Sequence, residues 1–377
     1  MKRLIIILYF GVLIALTAFS YLFIDPNLSY LKFLYTGFAF TKPFFTTVIY
    51  CLFLILLFTF YGAFLFLEKK EKLYAVDLRN LFIGVVVISL FAYPAMLSYD
   101  IFNYVADAKI LFHYHENPYI FMATDFIGDP LISFLHNGNN ISPYGVFWTL
   151  LSGIPFSLGF GNFIATLFAF KGFVIGFYVL TLYILKKITN NSFIVSLFGL
   201  NPLVILESLM GGHNDIVMMG LALLALFLLS KKHIFKGVLT LILSILIKYG
   251  TIMLLPVYVY ASVFYLRKRK VNWENIYFWS ALLMFVIFLF SSVRKEIYPW
   301  YGQWFLLFAF MTKKTWIRGF ALAFSIGLLL RDIPFMLIGN YFGFVQLMKT
   351  LFTFIPPMFV LLFFVGKRVL AFSWKKA

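Results

Sequence analysis

Charged residues are scarce in this chain of 377 residues: 12% are Asp, Glu, Lys or Arg, while 63% are hydrophobic and the mean hydropathy is +0.96. Soluble domains carry roughly 25% charged residues. The shortage excludes an ordinary soluble domain and predicts an all-α polytopic membrane protein. Because no soluble segment interrupts the apolar runs, we expect one domain over residues 1–377.

Cysteine is almost absent as well. Cys51 is the single cysteine and lies in an apolar run, which excludes an intrachain disulfide and a cysteine-based metal site. The chain also lacks the glycine-rich nucleotide-binding motifs, H-E-x-x-H and G-x-S-x-G. His113 and His115 have no matching carboxylate spacing. We therefore expect no metal and no organic cofactor.

Acidic residues are few, and the 31 Lys and Arg against 14 Asp and Glu give a net charge of +17. The basic residues cluster in short segments between apolar runs, as the positive-inside rule describes for cytoplasmic loops. The charge is therefore a topology signal, and we expect no nucleic-acid partner. The clusters are Lys2–Arg3, Lys69–Lys72, Lys186–Lys187, Lys231–Lys236, Arg267–Lys270, Lys313–Lys314 and Lys367–Lys376.

Twelve apolar runs are candidate membrane spans, with both termini cytoplasmic. Tyr144–Phe160 and Ile333–Lys349 would reverse the positions of basic clusters, so we predict an outer re-entrant or interfacial segment and a broken outer segment. The twelve runs are Leu4–Ile24, Phe44–Leu67, Leu81–Leu97, Asn162–Leu185, Phe193–Met210, Ile216–Ser230, Phe235–Tyr249, Thr251–Leu266, Ile276–Val293, Trp304–Thr312, Trp316–Leu330 and Leu351–Gly366.

The acids that are present gather in one predicted outer loop, Ser98–Pro143. This loop holds five of the 14 acids and three of the five histidines, but only one of the 31 Lys and Arg. A segment so unlike the rest of the chain is where we expect the chemistry.

Asp100 and Asp107 are the leading candidates in that loop. Seven residues are close to two helical turns, so both carboxylates can face one side of a helix, with Tyr104 between them. A carboxylate near the membrane boundary can take a proton from an acceptor hydroxyl. The alternative is a solvated, capped helix beside the membrane.

The second candidate is Gly211-Gly212-His213-Asn214-Asp215, between two apolar runs. Asn214 or Asp215 can simply cap the following helix. A cap needs only one such residue, however, and here three polar side chains follow two glycines that allow close approach of a ligand to the backbone. We therefore predict that His213, Asn214 and Asp215 bind substrate.

Several cations lie on the predicted outer side, against the positive-inside pattern. Lys248 can snorkel to the interface or bind a phosphate, and Arg294 and Arg331 raise the same alternatives. Tyr249, next to Lys248, is a further candidate for binding substrate. The segment Tyr298–Trp304 is aromatic, and it is either an interfacial belt or a sugar-stacking platform that uses Trp300 and Tyr301.

Six short motifs follow one another along the chain. They are S-x-D-x-x-x-Y-x-x-D from Ser98, N-P-Y from Asn117, N-P-L from Asn201, G-H-N-D from Gly212, K-Y from Lys248 and P-W-Y from Pro299. Their order resembles that of the GT-C class of integral-membrane glycosyltransferases, in particular polyprenyl-phosphate-mannose-dependent mannosyltransferases. Relatives often have D-G-R where this chain has Asp107-Ala108-Lys109, and a second proline where it has Gly145-Val146.

The resemblance implies a GT-C fold with a large catalytic first outer loop and juxtamembrane helices. It implies inverting transfer of a hexose, mannose above all, from a polyprenyl-phosphate donor in the membrane lipid to a glycan or lipid-linked acceptor outside the plasma membrane. The general base is then Asp100, with Asp107 second, and Lys109, Lys248, Arg294 and Arg331 are available for the donor phosphate. A transporter or flippase for a lipid-linked sugar is the main alternative, and a non-catalytic assembly partner is another.

Overall fold

The computed structural model describes residues 2–294 and 296–373, with the side chains of 292–294 and 368–373 excepted, and contains no strand in that part of the chain. Helices are expected here because each backbone polar group in lipid must be paired within its own segment. The α-helices are α1 Lys2–Ser20, α2 Phe38–Thr41, α3 Pro43–Lys69, α4 Ala75–Leu90, α5 Asp100–Phe112, α6 Val146–Leu151, α7 Gly153–Leu158, α8 Phe163–Thr189, α9 Ser192–Gly199, α10 Pro202–Val204, α11 Asp215–Ser230, α12 Ile234–Ile245, α13 Leu255–Leu266, α14 Trp273–Arg294, α15 Gly302–Met311, α16 Thr315–Leu330, α17 Ile333–Ile338 and α18 Phe344–Ser373.

Shorter helical segments join these elements. A π-helix, Ile205–Met210, follows α10 directly. The 3-10 helices are Tyr21–Phe23, Ser29–Leu34, Pro94–Met96, Ala123–Asp125, Pro130–Phe134, Tyr249–Leu254 and Pro299–Tyr301.

In the described part of the chain, seven helices are long and apolar enough to cross a membrane. They become eight if α9 and the segment Pro202–Met210, bent by 55° relative to it, form one span. The polytopic class is confirmed, whereas the predicted total of twelve spans is not. The seven are Lys2–Phe23, Pro43–Lys69, Phe163–Thr189, Tyr249–Leu266, Trp273–Ser291, Thr315–Ile338 and Phe344–Lys367.

The remaining four predicted spans correspond to helices of at most 16 residues: α4, α11, α12 and α15. All ten residues of α15 and most residues of α11 are buried within the protein. A helix that is apolar all round is covered either by lipid or by other helices. The hydropathy of α11 and α15 therefore reflects a protein core as much as a membrane.

The helix α4 ends earlier than the sequence predicts, and a short connection leads from it to α5. α4 ends at Leu90, seven residues before the predicted end of its span, and a 3-10 helix at Pro94–Met96 leads into α5. Lys171 of α8 is fully buried, and its Nζ donates hydrogen bonds to the backbone oxygens of Ser89, at 2.8 Å, and of Ala92. A lysine amino group at a helix C-terminus pairs carbonyl groups that the helix itself cannot.

We expect Lys171→Ala to lower the apparent Tm of the protein in detergent, because two buried carbonyl groups lose their donor at roughly 1–3 kcal/mol each. Lys187→Ala, at an exposed lysine of the same helix, is the matched control. Equal melting temperatures for the two variants would contradict this role for Lys171.

The predicted outer loop, Ser98–Pro143, begins with α5 and continues mostly as turns. It is attached to the segment before α2 through Asp25: Tyr99 donates to the Asp25 carboxylate at 3.3 Å, and His136 Nε2 lies 3.4 Å from the same oxygen. The Tyr99 and His136 rings stack at 3.7 Å. These contacts fix the chain on the N-terminal side of Asp100.

Candidate active site

The helix α5 carries four of the predicted residues, and its two acids, Asp100 and Asp107, lie in different environments. Asp100 is its first residue, half-buried, at the end where a helix favours negative charge. Asp107 is buried, and Ser142 Oγ donates a hydrogen bond of 2.6 Å to its carboxylate. Burial raises the pKa of Asp107 to about 7. Asp107 is therefore a buried acid whose pKa lies near neutral pH, whereas the side chain of Asp100 is partly exposed.

Tyr104, between the two acids, joins α5 to the loop that begins with Gly211. Its hydroxyl donates to Asn214 Oδ1 at 3.2 Å and lies 3.3 Å from the donating backbone N–H of Asn214. Gly212 has φ +71°, a left-handed conformation that suits glycine and turns the chain towards α5. The outer-loop motif and the G-H-N-D motif, more than 100 residues apart, thus share one hydrogen-bonded centre.

Lys248 completes this centre. Its Nζ donates to Asp215 Oδ2 at 2.9 Å and to Asn214 Oδ1 at 3.3 Å, and it lies 4.8 Å from the centre of the Tyr301 ring. Asp215 is fully buried and also accepts from Trp304 Nε1 at 2.6 Å. Asp215 is thus bound by both Lys248 and Trp304.

The residues around Lys248 stabilise its protonated form. Burial lowers the pKa of this lysine, but the charges of Asp215, Tyr301 and Asp100 and the hydrogen bond that Lys248 donates to Asp215 raise it, and the net shift is upward. Lys248 is therefore a cation at neutral pH. Asp100 contributes to that field, so its carboxylate lies within electrostatic range of the lysine.

A close backbone approach positions Lys248. The N–H groups of Gly145 and Phe147 donate to the carbonyls of Ile247 and Leu246, at 3.0 and 2.9 Å, at the end of α12. A Cβ on Gly145 would lie 2.1 Å from the Leu246 oxygen, so only glycine fits. Gly145 therefore holds the end of α12 against the chain before α6.

Aromatic rings stack beside the same loop. The His213 imidazole lies on the Trp300 ring at 4.1 Å, and Trp300 lies on Tyr298 at 4.6 Å. His213 Nδ1 is 2.9 Å from the backbone oxygen of Glu207, and burial lowers the pKa of His213 to about 3. The imidazole is therefore neutral at physiological pH.

Four buried side-chain nitrogens around this stack make no hydrogen bond within the described chain. They belong to His213 (Nε2), Asn214 (Nδ2), Trp300 (Nε1) and Gln303 (Nε2). Buried polar groups are nearly always paired with protein, water or ligand. Their concentration in one place indicates a site for a hydroxyl-bearing molecule or for ordered water.

The sequence analysis did not identify two residues of this region, Gln303 and Glu207, as site residues. Gln303 accepts from Ser208 Oγ at 2.5 Å, and Glu207 lies with one carboxylate oxygen 3.2 Å from His213 Nδ1. Both Glu207 and Ser208 are in the π-helix Ile205–Met210, a local geometry that often occurs at functional sites. The acid within an apolar run, Glu207, was the available signal.

Other predicted residues lie apart from the centre. Lys109 is paired with Asp129 at 2.8 Å, and Tyr114 donates to the same carboxylate. Tyr249 is 56% exposed, and no hydrogen bond or ring contact within the described residues joins it to Lys248. The Arg294 side chain lies outside the described residues.

Arg331 belongs to a second charged cluster. It is buried and donates to Glu296 at 2.5 Å, while Lys349 binds the same Glu296 carboxylate. Sequence reasoning missed Glu296 and Lys349 because their partners are distant in the chain. No group of three or more His, Cys, Asp or Glu in the described ranges has the arrangement of a metal site.

A family model described as "Alpha-(1->6)-mannopyranosyltransferase, N-terminal domain", the MptA_B family, matches residues 8–264, which is more than half of the chain. The chain belongs to this family. The predicted resemblance to GT-C mannosyltransferases is thereby confirmed. No curated protein and no solved structure matches the chain significantly.

Membership of the MptA_B family makes the protein a mannosyltransferase and a glycosyltransferase. The matched range contains Asp100, Tyr104, the G-H-N-D loop and Lys248. The aromatic segment from Tyr298 and the cluster around Arg331 follow it. The hydrogen-bonded centre on α5 therefore lies almost wholly within the matched part of the chain.

Proposed function

We propose that this mannosyltransferase moves mannose from a polyprenyl phosphate to a hydroxyl of a glycan or lipid-linked acceptor, with inversion at the anomeric carbon. The family description further suggests an α-1,6 linkage in the product. The observation that carries the proposal is a half-buried carboxylate, Asp100, within electrostatic range of the cation Lys248 and beside a cluster of unpaired buried side-chain nitrogens.

The chemistry requires a base and a cation. Asp100 takes the proton of the acceptor hydroxyl as its oxygen attacks the anomeric carbon, and the bond from that carbon to the phosphate oxygen breaks. The polyprenyl phosphate leaves with its negative charge, so no general acid is required. Lys248 and the Arg331 cluster supply positive charge to the phosphate. Lys109 contributes less, because it is paired with Asp129 apart from the centre formed by Tyr104, Asn214 and Lys248.

We place the sugar at the unpaired side-chain nitrogens beside the aromatic stack. His213, Asn214, Trp300 and Gln303 have nitrogens available for sugar hydroxyls, and Tyr301 flanks Lys248. Asp107, which bonds to Ser142 rather than to Lys109, remains for the acceptor side.

The location follows from the basic clusters. Placing both Lys69–Lys72 and Lys186–Lys187 in the cytoplasm puts Ser98–Pro143 outside if the 16-residue helix α4 crosses the membrane. We infer that α4 does cross, and that the site faces the outer surface of the plasma membrane. The broad apolar exterior then keeps the enzyme in the same membrane as its lipid donor.

The experiment is transfer by the purified protein. We expect radiolabelled polyprenyl-phosphate mannose to label a mannoside acceptor, whereas a nucleotide-linked mannose does not. Transfer from the nucleotide sugar alone would overturn the donor assignment.

The 55° bend between α9 and Pro202–Met210 is of the kind found in transporters. Movement of the lipid-linked sugar across liposomes without transfer would therefore favour the flippase alternative.

A further inference from the structure

The side chain of His213 is held at the end of the π-helix Ile205–Met210. The backbone oxygen of Glu207 accepts from the backbone N–H of His213 at 3.1 Å and lies 2.9 Å from His213 Nδ1. Carbonyl groups at the end of a helix lack a partner within it, so the following loop supplies both donors. These bonds and the Trp300 ring, at 4.1 Å, fix the orientation of the imidazole, which is 1% exposed.

These contacts determine which nitrogen of the imidazole carries the proton. A carbonyl oxygen can only accept a hydrogen bond, so Nδ1 is the donor. Burial lowers the pKa of His213 to about 3, so the ring has only one N–H at physiological pH. Nε2 is therefore unprotonated and presents a lone pair. It is buried and receives no hydrogen bond from any residue that the structure describes.

The other three unpaired nitrogens of the cluster are donors. The amide oxygen of Asn214 accepts from Lys248. The amide oxygen of Gln303 accepts from Ser208. Each amide therefore has its nitrogen left to donate elsewhere, and the indole nitrogen of Trp300 can only donate. The cluster thus offers one acceptor, the imidazole lone pair, and three donating nitrogens.

This combination suits a sugar hydroxyl better than a phosphate. A hydroxyl can donate to the imidazole lone pair and accept from an amide or indole N–H at the same time. A phosphate diester anion has only acceptor oxygens, and its charge would lie against the lone pair of Nε2. Because Asn214 also binds Lys248, a sugar at this cluster lies beside the cation that we assign to the phosphate.

The aromatic stack presents an edge to the ligand. Two parallel rings pack on Trp300, His213 at 4.1 Å and Tyr298 at 4.6 Å, so the faces of this indole are already in use. Its N–H edge remains for a ligand. Recognition through hydrogen-bonding edges depends on which hydroxyls the sugar carries, whereas stacking on a ring face depends much less on them.

We infer that His213 Nε2 accepts the hydrogen of one mannose hydroxyl, and that this contact selects the sugar that the enzyme transfers. The inference rests on the proposed function for the position of the sugar, and it adds the polarity of the contact: the hydroxyl facing His213 donates. A sugar without that hydroxyl leaves a buried acceptor unpaired. Because the nitrogens are buried, binding requires side chains at the rim of the cluster to move. Ordered water is the competing occupant.

Donor analogues test this polarity through binding alone. Each probe is polyprenyl-phosphate mannose with one sugar hydroxyl replaced by hydrogen or by fluorine, and it competes with radiolabelled polyprenyl-phosphate mannose for the full-length protein without acceptor. Fluorine accepts weakly but cannot donate. At one hydroxyl we therefore expect both replacements to weaken binding equally, about tenfold, as for one unpaired buried acceptor. Equal binding of all analogues would overturn the inference and leave water as the occupant.

A matched pair of variants assigns the effect to His213. His213→Phe keeps a ring on Trp300 and removes the acceptor, so it should bind the intact donor about tenfold more weakly and lose the penalty at the sensitive hydroxyl. His233→Phe makes the same change at an exposed histidine before α12 and should keep the full pattern. An unchanged pattern in His213→Phe would contradict the inference. The analogue series on the unaltered protein requires no variant to fold.

The results separate this inference from the proposed function. If the unaltered protein does not bind polyprenyl-phosphate mannose, the proposed donor is wrong, and the sugar contact is wrong with it. If it binds and transfers mannose but no hydroxyl shows the expected pattern, the contact with His213 alone is wrong.

Discussion

Asp100→Asn is expected to lower the turnover of mannosyl transfer roughly 10²–10⁴-fold while the protein still binds its donor. The amide keeps the size of the side chain but cannot take the proton of the acceptor hydroxyl, and general-base catalysis has about that magnitude. Asp100 is half-buried at the start of α5 and contributes to the field at Lys248. The measurement is single-turnover transfer, with donor binding assayed separately.

Asp107→Asn is the matched control, on the same helix two turns away. Since Asp107 is buried against Ser142, its substitution should mainly raise the acceptor KM. Burial raises the pKa of Asp107 to about 7, so this group loses its proton as the pH rises through neutrality. A wild-type rate that rises through pH 7, together with an active Asp100→Asn variant and an inactive Asp107→Asn variant, would reverse the assignment.

Lys248→Ala is expected to reduce transfer about 10²-fold, as a raised donor KM or a lowered kcat, because the leaving phosphate loses a fixed cation. The same change also leaves Asp215 as a buried carboxylate without its cation, at a cost of about 3–5 kcal/mol in stability. Activity and thermal unfolding must therefore be measured together.

The double variant Lys248→Met with Asp215→Asn separates these two effects. Removal of both charges should restore much of the stability, since a neutral pair replaces a broken ion pair. Transfer should remain low. Recovery of both stability and donor kinetics in the double variant would mean that Lys248 only neutralises Asp215 and does not act on the phosphate.

Hydropathy, charge distribution and motif order determined the class of this protein. Twenty-residue apolar runs separated by basic clusters leave few alternatives to a helical membrane protein. The concentration of acids in one loop predicted Asp100 as the leading catalytic candidate. Motifs from Ser98 to Tyr301, in order, predicted the GT-C mannosyltransferase family, and the structure joins Tyr104, Asn214 and Lys248 in one network. These features are local in sequence, so a single chain suffices to read them.

Tertiary structure decided which apolar helices are core and which partners the charges take. Hydropathy cannot distinguish burial in lipid from burial in protein, and so α15, buried along its whole length, was predicted to span the membrane. Charge partners are set by packing between distant segments: Lys109 pairs with Asp129, and Arg331 with Glu296. The role of Lys171 at the end of α4 likewise exists only in three dimensions, because its carbonyl partners lie about 80 residues earlier in the chain.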